Sequence, residues 1–115
     1  MGTHLTVPFC GRLLRGLGAH VVKVEPPGGD PLRHAGSPAA AALFAHLNAG
    51  KESVLLDADA WACPRPLEPL LRRAQIWLDG RPAATINADP VAAAVRRSPA
   101  ASGLVHVAVT PFGLD

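Results

Sequence analysis

Four short apolar stretches, beginning at Val21, Ser53, Ile76 and Leu104, recur 23 to 32 residues apart along this chain. Each has strand length, and helical spacing fills the gaps between them. Residues 39–47 present Leu43, Phe44 and Leu47; residues 66–74 carry Leu67, Leu70 and Leu71 inward; residues 90–97 form a last helix. A hairpin needs only a few linking residues, whereas a gap holding a helix makes a parallel, right-handed crossover. The expected fold class is therefore α/β: a Rossmann-like open parallel sheet of about four strands alternating with helices. Its strands are expected at residues 21–25, 53–57, 76–79 and 104–109, with no sequence repeat accompanying the rhythm.

The first helix is expected over residues 8–17. Thr6 can cap it, Pro8 suits its first turn and Gly18 suits a left-handed C-terminal position. Phe9, Leu13, Leu14 and Leu17 share one face. Only residues 1–7 precede this helix, with residues 4–7 readable as the tail of a strand. A doubly wound sheet normally has a first strand before its first helix. The chain also stops six residues after Val109, where a strand should lead into another helix. The sheet is thus expected to be incomplete at both ends.

Several classes are excluded by composition. The chain has 115 residues, 49% hydrophobic and 17% charged, as in a globular protein and unlike a disordered one. Apolar runs such as residues 39–45 fall far short of the ~20 residues of a membrane span, and no secretory signal is visible. A net charge of +2, with charges scattered and few aromatics, does not argue for nucleic acid. Cys10 and Cys63 stand 53 residues apart without a CxxC partner, which reads as reduced thiols of a cytoplasmic protein. The only lysines are Lys23 and Lys51.

Common site chemistries are weakly represented. Gly16 and Gly18 lie at the wrong end of the helix for a dinucleotide fingerprint, although Glu25 ends a strand as a ribose-binding acid would. His4, His20, His34, His46 and His106 are dispersed, with no pair at i, i+4, and read as surface or loop histidines rather than metal ligands. Cys10 reads either as a small packing residue or as a thiol at a helix N-terminus. The pairs Arg12 and Arg15, Arg72 and Arg73, Arg96 and Arg97 read as solvated faces or as phosphate contacts.

The string PFCGRLLRGLGAHVVKVEPPGGDPLR, residues 8–33, followed by HLNAGKESVLLD, residues 46–57, is the most informative part of the chain. It resembles the start of the family III CoA-transferases, also called CaiB/BaiF. These include formyl-CoA transferases, carnitine CoA-transferases and alpha-methylacyl-CoA racemases. AQIWLDGRPAA, residues 74–84, is similar to the family's A-D-V-L-[IV]-E-x-[FY]-R-P-G, shortened by one residue. SGLVHVAVTPFG, residues 102–113, is similar to its strand ending in T-G-[FW]-G.

This resemblance implies that residues 1–115 are a partial N-terminal Rossmann-like domain of that family. It implies enzymes that move coenzyme A between an acyl-CoA and a carboxylic acid through an aspartate nucleophile. A mixed anhydride and then an enzyme-bound CoA thioester are the intermediates. In the racemase branch a His and Asp pair exchanges the α-proton instead. Acyl-CoA and carboxylate are the implied substrates, with no covalently bound cofactor. Leu56 matches a position lining the adenine side of the CoA site, and Gly80 and Arg81 match a segment at its nucleotide end. The same two residues read equally well as a strand-end turn. Ala83 replaces the glycine of R-P-G, and Asn87 stands where the family has a basic residue.

The nucleophilic aspartate of the family lies in a G-[YH]-D segment about a dozen residues after T-G-[FW]-G. Asp115 comes too early to be that residue, and no catalytic residue is assigned. The leading expectation is an N-terminal fragment or truncated relative that supplies part of the CoA-binding wall and is inactive alone. The alternative is a non-catalytic module that binds CoA or a partner, with a second copy of itself or a C-terminal portion as that partner. No nucleic acid or membrane partner is expected.

Overall fold

The computed structural model describes residues 3–56, 67–97 and 103–114. Its elements run α1 (Thr3–Gly16), β1 (Val22–Glu25), a 3-10 turn (Pro31–Arg33), α2 (Pro38–Asn48), β2 (Glu52–Leu55), α3 (Glu68–Arg73), β3 (Ile76–Asp79), α4 (Ala83–Ala88), α5 (Pro90–Arg97) and β4 (Val105–Ala108). The fold is mixed α/β with parallel strands, and a strand stands at each of the four expected places. Among the described residues β1 pairs with β2, and β3 with β4, as two small parallel sheets, consistent with a Rossmann-like fragment. Each pair is joined by its own crossover, through α2 in one case and through α4 and α5 in the other. The chain accordingly divides into two compact units, Pro8–Ala58 and Met1–Val7 with Asp59–Asp115. Asp57, Cys63, Pro66, Ser102, Asp115 and the side chain of His4 lie outside the described residues.

α1 starts five residues earlier than expected, so residues 4–7 are helical rather than the tail of a strand, and Thr6 lies within the helix. Pro8 is interior to it. A proline there removes one N–H donor and crowds the carbonyl of the preceding turn. The C-terminus is as expected. Gly18 has φ +95°, its N–H reaches the Arg15 carbonyl at 3.1 Å, and the Ala19 N–H reaches Leu14 at 3.0 Å. This pair of bonds is a Schellman closure, which needs a residue tolerant of the left-handed region.

The apolar face of α1 is mostly exposed: Phe9, Leu13 and Leu17 are exposed, and Leu14 is half-buried. Polar contacts join α1 to α2 instead. Arg12 Nη1 donates to the His46 carbonyl at 2.7 Å and Arg15 Nε to the Gly50 carbonyl at 2.8 Å. A helix leaves its last carbonyls without intrahelical donors; Arg12 supplies one at His46, and Arg15 one in the turn that follows. The start of α2 is capped by Ser37 Oγ, which accepts from the Ala40 N–H at 3.1 Å, with Pro38 following the cap. Leu47 is its buried anchor.

β1 and β2 run in register from Val22 opposite Glu52 to Glu25 opposite Leu55. The Leu56 N–H extends the ladder to the Glu25 carbonyl at 2.9 Å. In the other unit Ile76 faces Val105 and Asp79 faces Ala108. Leu67, Ile86, Ala92, Val95 and Leu104 are its buried apolar residues. α4 has no counterpart among the helices expected from the sequence. Its signal was weak because six residues make fewer than two turns and leave little periodicity to detect.

The two glycines that end α1 should respond oppositely to alanine. Gly16 is helical with open space around it, so Gly16→Ala should stabilise by about 0.5–1 kcal/mol. Gly18→Ala should destabilise by about 1–2 kcal/mol, because its φ is positive. Denaturant unfolding of the two variants measures both signs.

Candidate functional site

Alternation along β1 puts Lys23 and Glu25 on one side of the strand and Val22 and Val24 on the other. Glu25 is 1% exposed, yet its carboxylate is fully engaged. Arg33 makes a two-pronged contact, Nε to Oε2 at 2.9 Å and Nη2 to Oε1 at 2.8 Å. The Asp30 N–H reaches Oε2 at 2.8 Å, and Ser53 Oγ donates to Oε1 at 2.8 Å. Arg33's hydrogen bonds hold the carboxyl down at about 2, against burial, with help from Ser53 and the Asp30 amide. The guanidinium also lies over the Phe44 ring, 4.2 Å from its centroid.

These contacts fold residues 26–33 back over the end of β1. The Gly29 N–H closes a turn onto the Pro26 carbonyl at 2.7 Å, and His34 Nε2 lies 2.7 Å from the Gly28 carbonyl. Gly29 has φ +75°, and a Cβ there would come within 3.2 Å of Arg33 Cδ and 3.5 Å of Glu25 Oε2. Only glycine fits both the turn and the carboxylate beneath it. An open groove of about 390 Å³ results, lined by Gly28, Gly29, Arg33, His34, Ser53 and Leu55. It sits at the carboxyl ends of two parallel strands, where open α/β sheets bind ligands. Leu56, half-buried, directly follows the groove residue Leu55.

A second polar cluster lies in the same unit. Lys23 Nζ pairs with Asp30 Oδ2 and donates to Asn48 Oδ1 at 3.2 Å. Lys51 Nζ donates to the Pro8 carbonyl at 2.7 Å and approaches the same Asn48 oxygen at 3.4 Å. Cys10, a free thiol, lies in the body of α1, so the reading of it at a helix N-terminus is corrected.

Gly80 and Arg81 belong to the other unit, at the end of β3. Arg81 Nε and Nη2 bind Asp79 at 2.9 and 2.6 Å, and Nη2 also reaches Asp89 at 2.8 Å. Asp89 in turn caps α5, accepting from the Val91 and Ala92 amides at 2.8 and 3.3 Å. Burial raises the Asp79 pKa, but the bonds from Arg81 outweigh it and leave the carboxyl below its ordinary value. The guanidinium is thus engaged by two carboxylates, an arrangement closer to the strand-end turn than to a waiting phosphate site. His106 corrects the expectation of a surface or loop histidine. Its side chain is only 4% exposed, stacked on Trp77 at 4.3 Å with Nε2 3.3 Å from Asp79 Oδ2. The register places Trp77 and His106 as cross-strand neighbours, which the spacing of histidines along the sequence does not reveal. His20, His34 and His46 are exposed. Among the described residues no group of three His, Cys, Asp or Glu is placed to hold a metal ion, and no helix is long and apolar enough to cross a membrane.

Compared with protein families, the chain matches CoA-transferase family III over residues 1–115. It is similar to a succinyl-CoA–D-citramalate CoA-transferase of Chloroflexus aurantiacus, 60% identical over 37 residues. That match covers 31% of this chain and 9% of the length of the relative. No solved structure matches the chain.

The Glu25 cluster should give the protein an acid-sensitive edge. Its folded pKa lies below the unfolded value, so its stabilisation is complete above about pH 4.5 and lost as pH falls toward about 2. The shift corresponds to ~3 kcal/mol, reduced to about 2 kcal/mol by solvent beside the 41%-exposed Arg33. Urea unfolding from pH 6 to pH 2 should show that loss in the native chain and a flatter profile for Glu25→Gln.

Proposed function

Because the chain belongs to CoA-transferase family III, we propose that it forms part of the CoA-binding wall of an enzyme that transfers coenzyme A between an acyl-CoA and a carboxylic acid. The observation that carries this reading is the groove at the carboxyl ends of β1 and β2, with Leu56 at its margin. An apolar side chain there can pack against the adenine ring, and the exposed edge of Arg33 can face phosphate. Gly80 and Arg81 are assigned to the nucleotide end of the ligand. For Arg81 the reading asks the guanidinium to share itself between Asp79, Asp89 and a phosphate.

The reading assigns no nucleophile to these 115 residues. Asp79 and Asp89 are tied to Arg81, and Asp30 to Lys23, so each described aspartate has a cationic partner. A carboxylate that attacks a thioester needs its lone pairs directed at the substrate, not at an arginine. The protein is read as a cytoplasmic acyl-CoA enzyme component of the CaiB/BaiF type.

Calorimetric titration with CoA tests the binding half of this proposal. CoA should bind the native chain, Leu56→Glu should weaken binding about tenfold by replacing the apolar surface under the adenine ring with a charge that must be desolvated, and Arg81→Gln should weaken both binding and fold. Undiminished CoA affinity in Leu56→Glu would remove Leu56 from the site. Incubation with succinyl-CoA and a carboxylate acceptor should give no thioester exchange by this chain alone. Turnover would show that a nucleophile is present after all.

A further inference from the structure

Lys51 is not among the residues that line the groove or that are assigned to CoA. It enters from the turn after α2 and packs across α1 at Gly11, where a Cβ would meet its Nζ at 3.2 Å and its Cε at 3.4 Å. Gly11 is buried, so the lack of a side chain there makes room for the lysine stem. At the tip, the amine meets the Pro8 carbonyl at 2.7 Å and Asn48 Oδ1 at 3.4 Å. Asn48 Oδ1 is also the acceptor of Lys23 Nζ at 3.2 Å. Two ammonium groups from different elements therefore converge on one neutral oxygen. The carboxylate nearby, Asp30, is paired with Lys23 rather than with Lys51.

We propose that Lys51 is an activated lysine that takes acyl groups from thioesters, forming an Nε-acyl-lysine. In this step the neutral amine attacks the thioester carbonyl. A C–N bond forms, the C–S bond breaks, and the amine's proton leaves with the thiolate as free thiol. No other reactant is consumed. The arrangement meets the two requirements for a nucleophilic lysine, desolvation and a neighbouring cation. Burial lowers its pKa most, followed by Lys23 on β1 and Arg12 on α1, while Asp30 and Cys10 act the other way; the net value is about 8. The Pro8 carbonyl and the Asn48 oxygen accept hydrogen bonds from the neutral amine as well as from the ammonium, so the position is held in both states.

The chain carries its own reference, because Lys23, its other lysine, is held in an ion pair with Asp30. The full-length chain is incubated with S-acetyl-N-acetylcysteamine, a thioester without a nucleotide, and in parallel with acetyl-CoA. Acetylation at each lysine is then followed by peptide mass spectrometry from pH 6.5 to 10.5. Lys51 should acetylate about tenfold faster than Lys23 at pH 8, with its rate half-maximal near pH 8. Lys23→Met should move that midpoint upward and slow labelling at pH 8, and Lys51→Arg should abolish the modified peptide. Equal labelling of the two lysines, a Lys51 midpoint near 10, or a midpoint unmoved by Lys23→Met would overturn the proposal. The proposal does not rest on CoA recognition: equal rates with the two thioesters would count against a CoA site and leave Lys51 as assigned.

Discussion

The Glu25 carboxylate, sealed at the end of β1, is the interaction on which the first unit is organised. Four hydrogen bonds converge on its two oxygens, from Arg33, the Asp30 amide and Ser53. Together they join β1, the following loop and β2. A buried charge is tolerable only when so satisfied, and removing one partner leaves the other in a site that cannot solvate it. The direction of the loop, the crowding at Gly29 and the shape of the groove all follow from keeping this carboxylate paired.

The second unit repeats the device with different spacing. β3 also ends on a buried acid, Asp79, and the loop after it also returns an arginine to that acid. There the arginine is two residues away instead of eight, and it reaches onward to Asp89, the cap of α5. Strand end, turn and helix start become one charged chain of contacts, with His106 and Trp77 stacked beside it. In both units a buried acid stands at the carboxyl end of a parallel strand. That is where ligands bind in such folds.

Reading charge from sequence was least reliable at these places. Arg81 resembles a family position at the nucleotide end of CoA, and nothing in its neighbours along the chain announces that Asp89 lies across from it. The histidines looked alike when counted by spacing. His106 is set apart by the register that brings it beside Trp77, a pairing 29 residues distant in sequence. Lys51 looked like one element of a motif; its closeness to Lys23 arises only because Asn48 stands between two elements.

By itself the sequence determined the alternation of strands and helices, since strand length and helical period are local properties of consecutive residues. Its ordered motifs also determined the family, CoA-transferase family III. Gly18 was legible for the same local reason, because a helix end needs a residue free to take positive φ. The tertiary structure alone decided which strands pair, which carboxylate each arginine serves, and which of the two lysines loses water and gains a like-charged neighbour. Many of those outcomes depend on contacts distant along the chain, 8 residues for Arg33 with Glu25 and 43 for Lys51 with Pro8. Periodicity carries no record of such contacts, and it is burial, hydrogen bonding and neighbouring charge together that turn them into shifted charges.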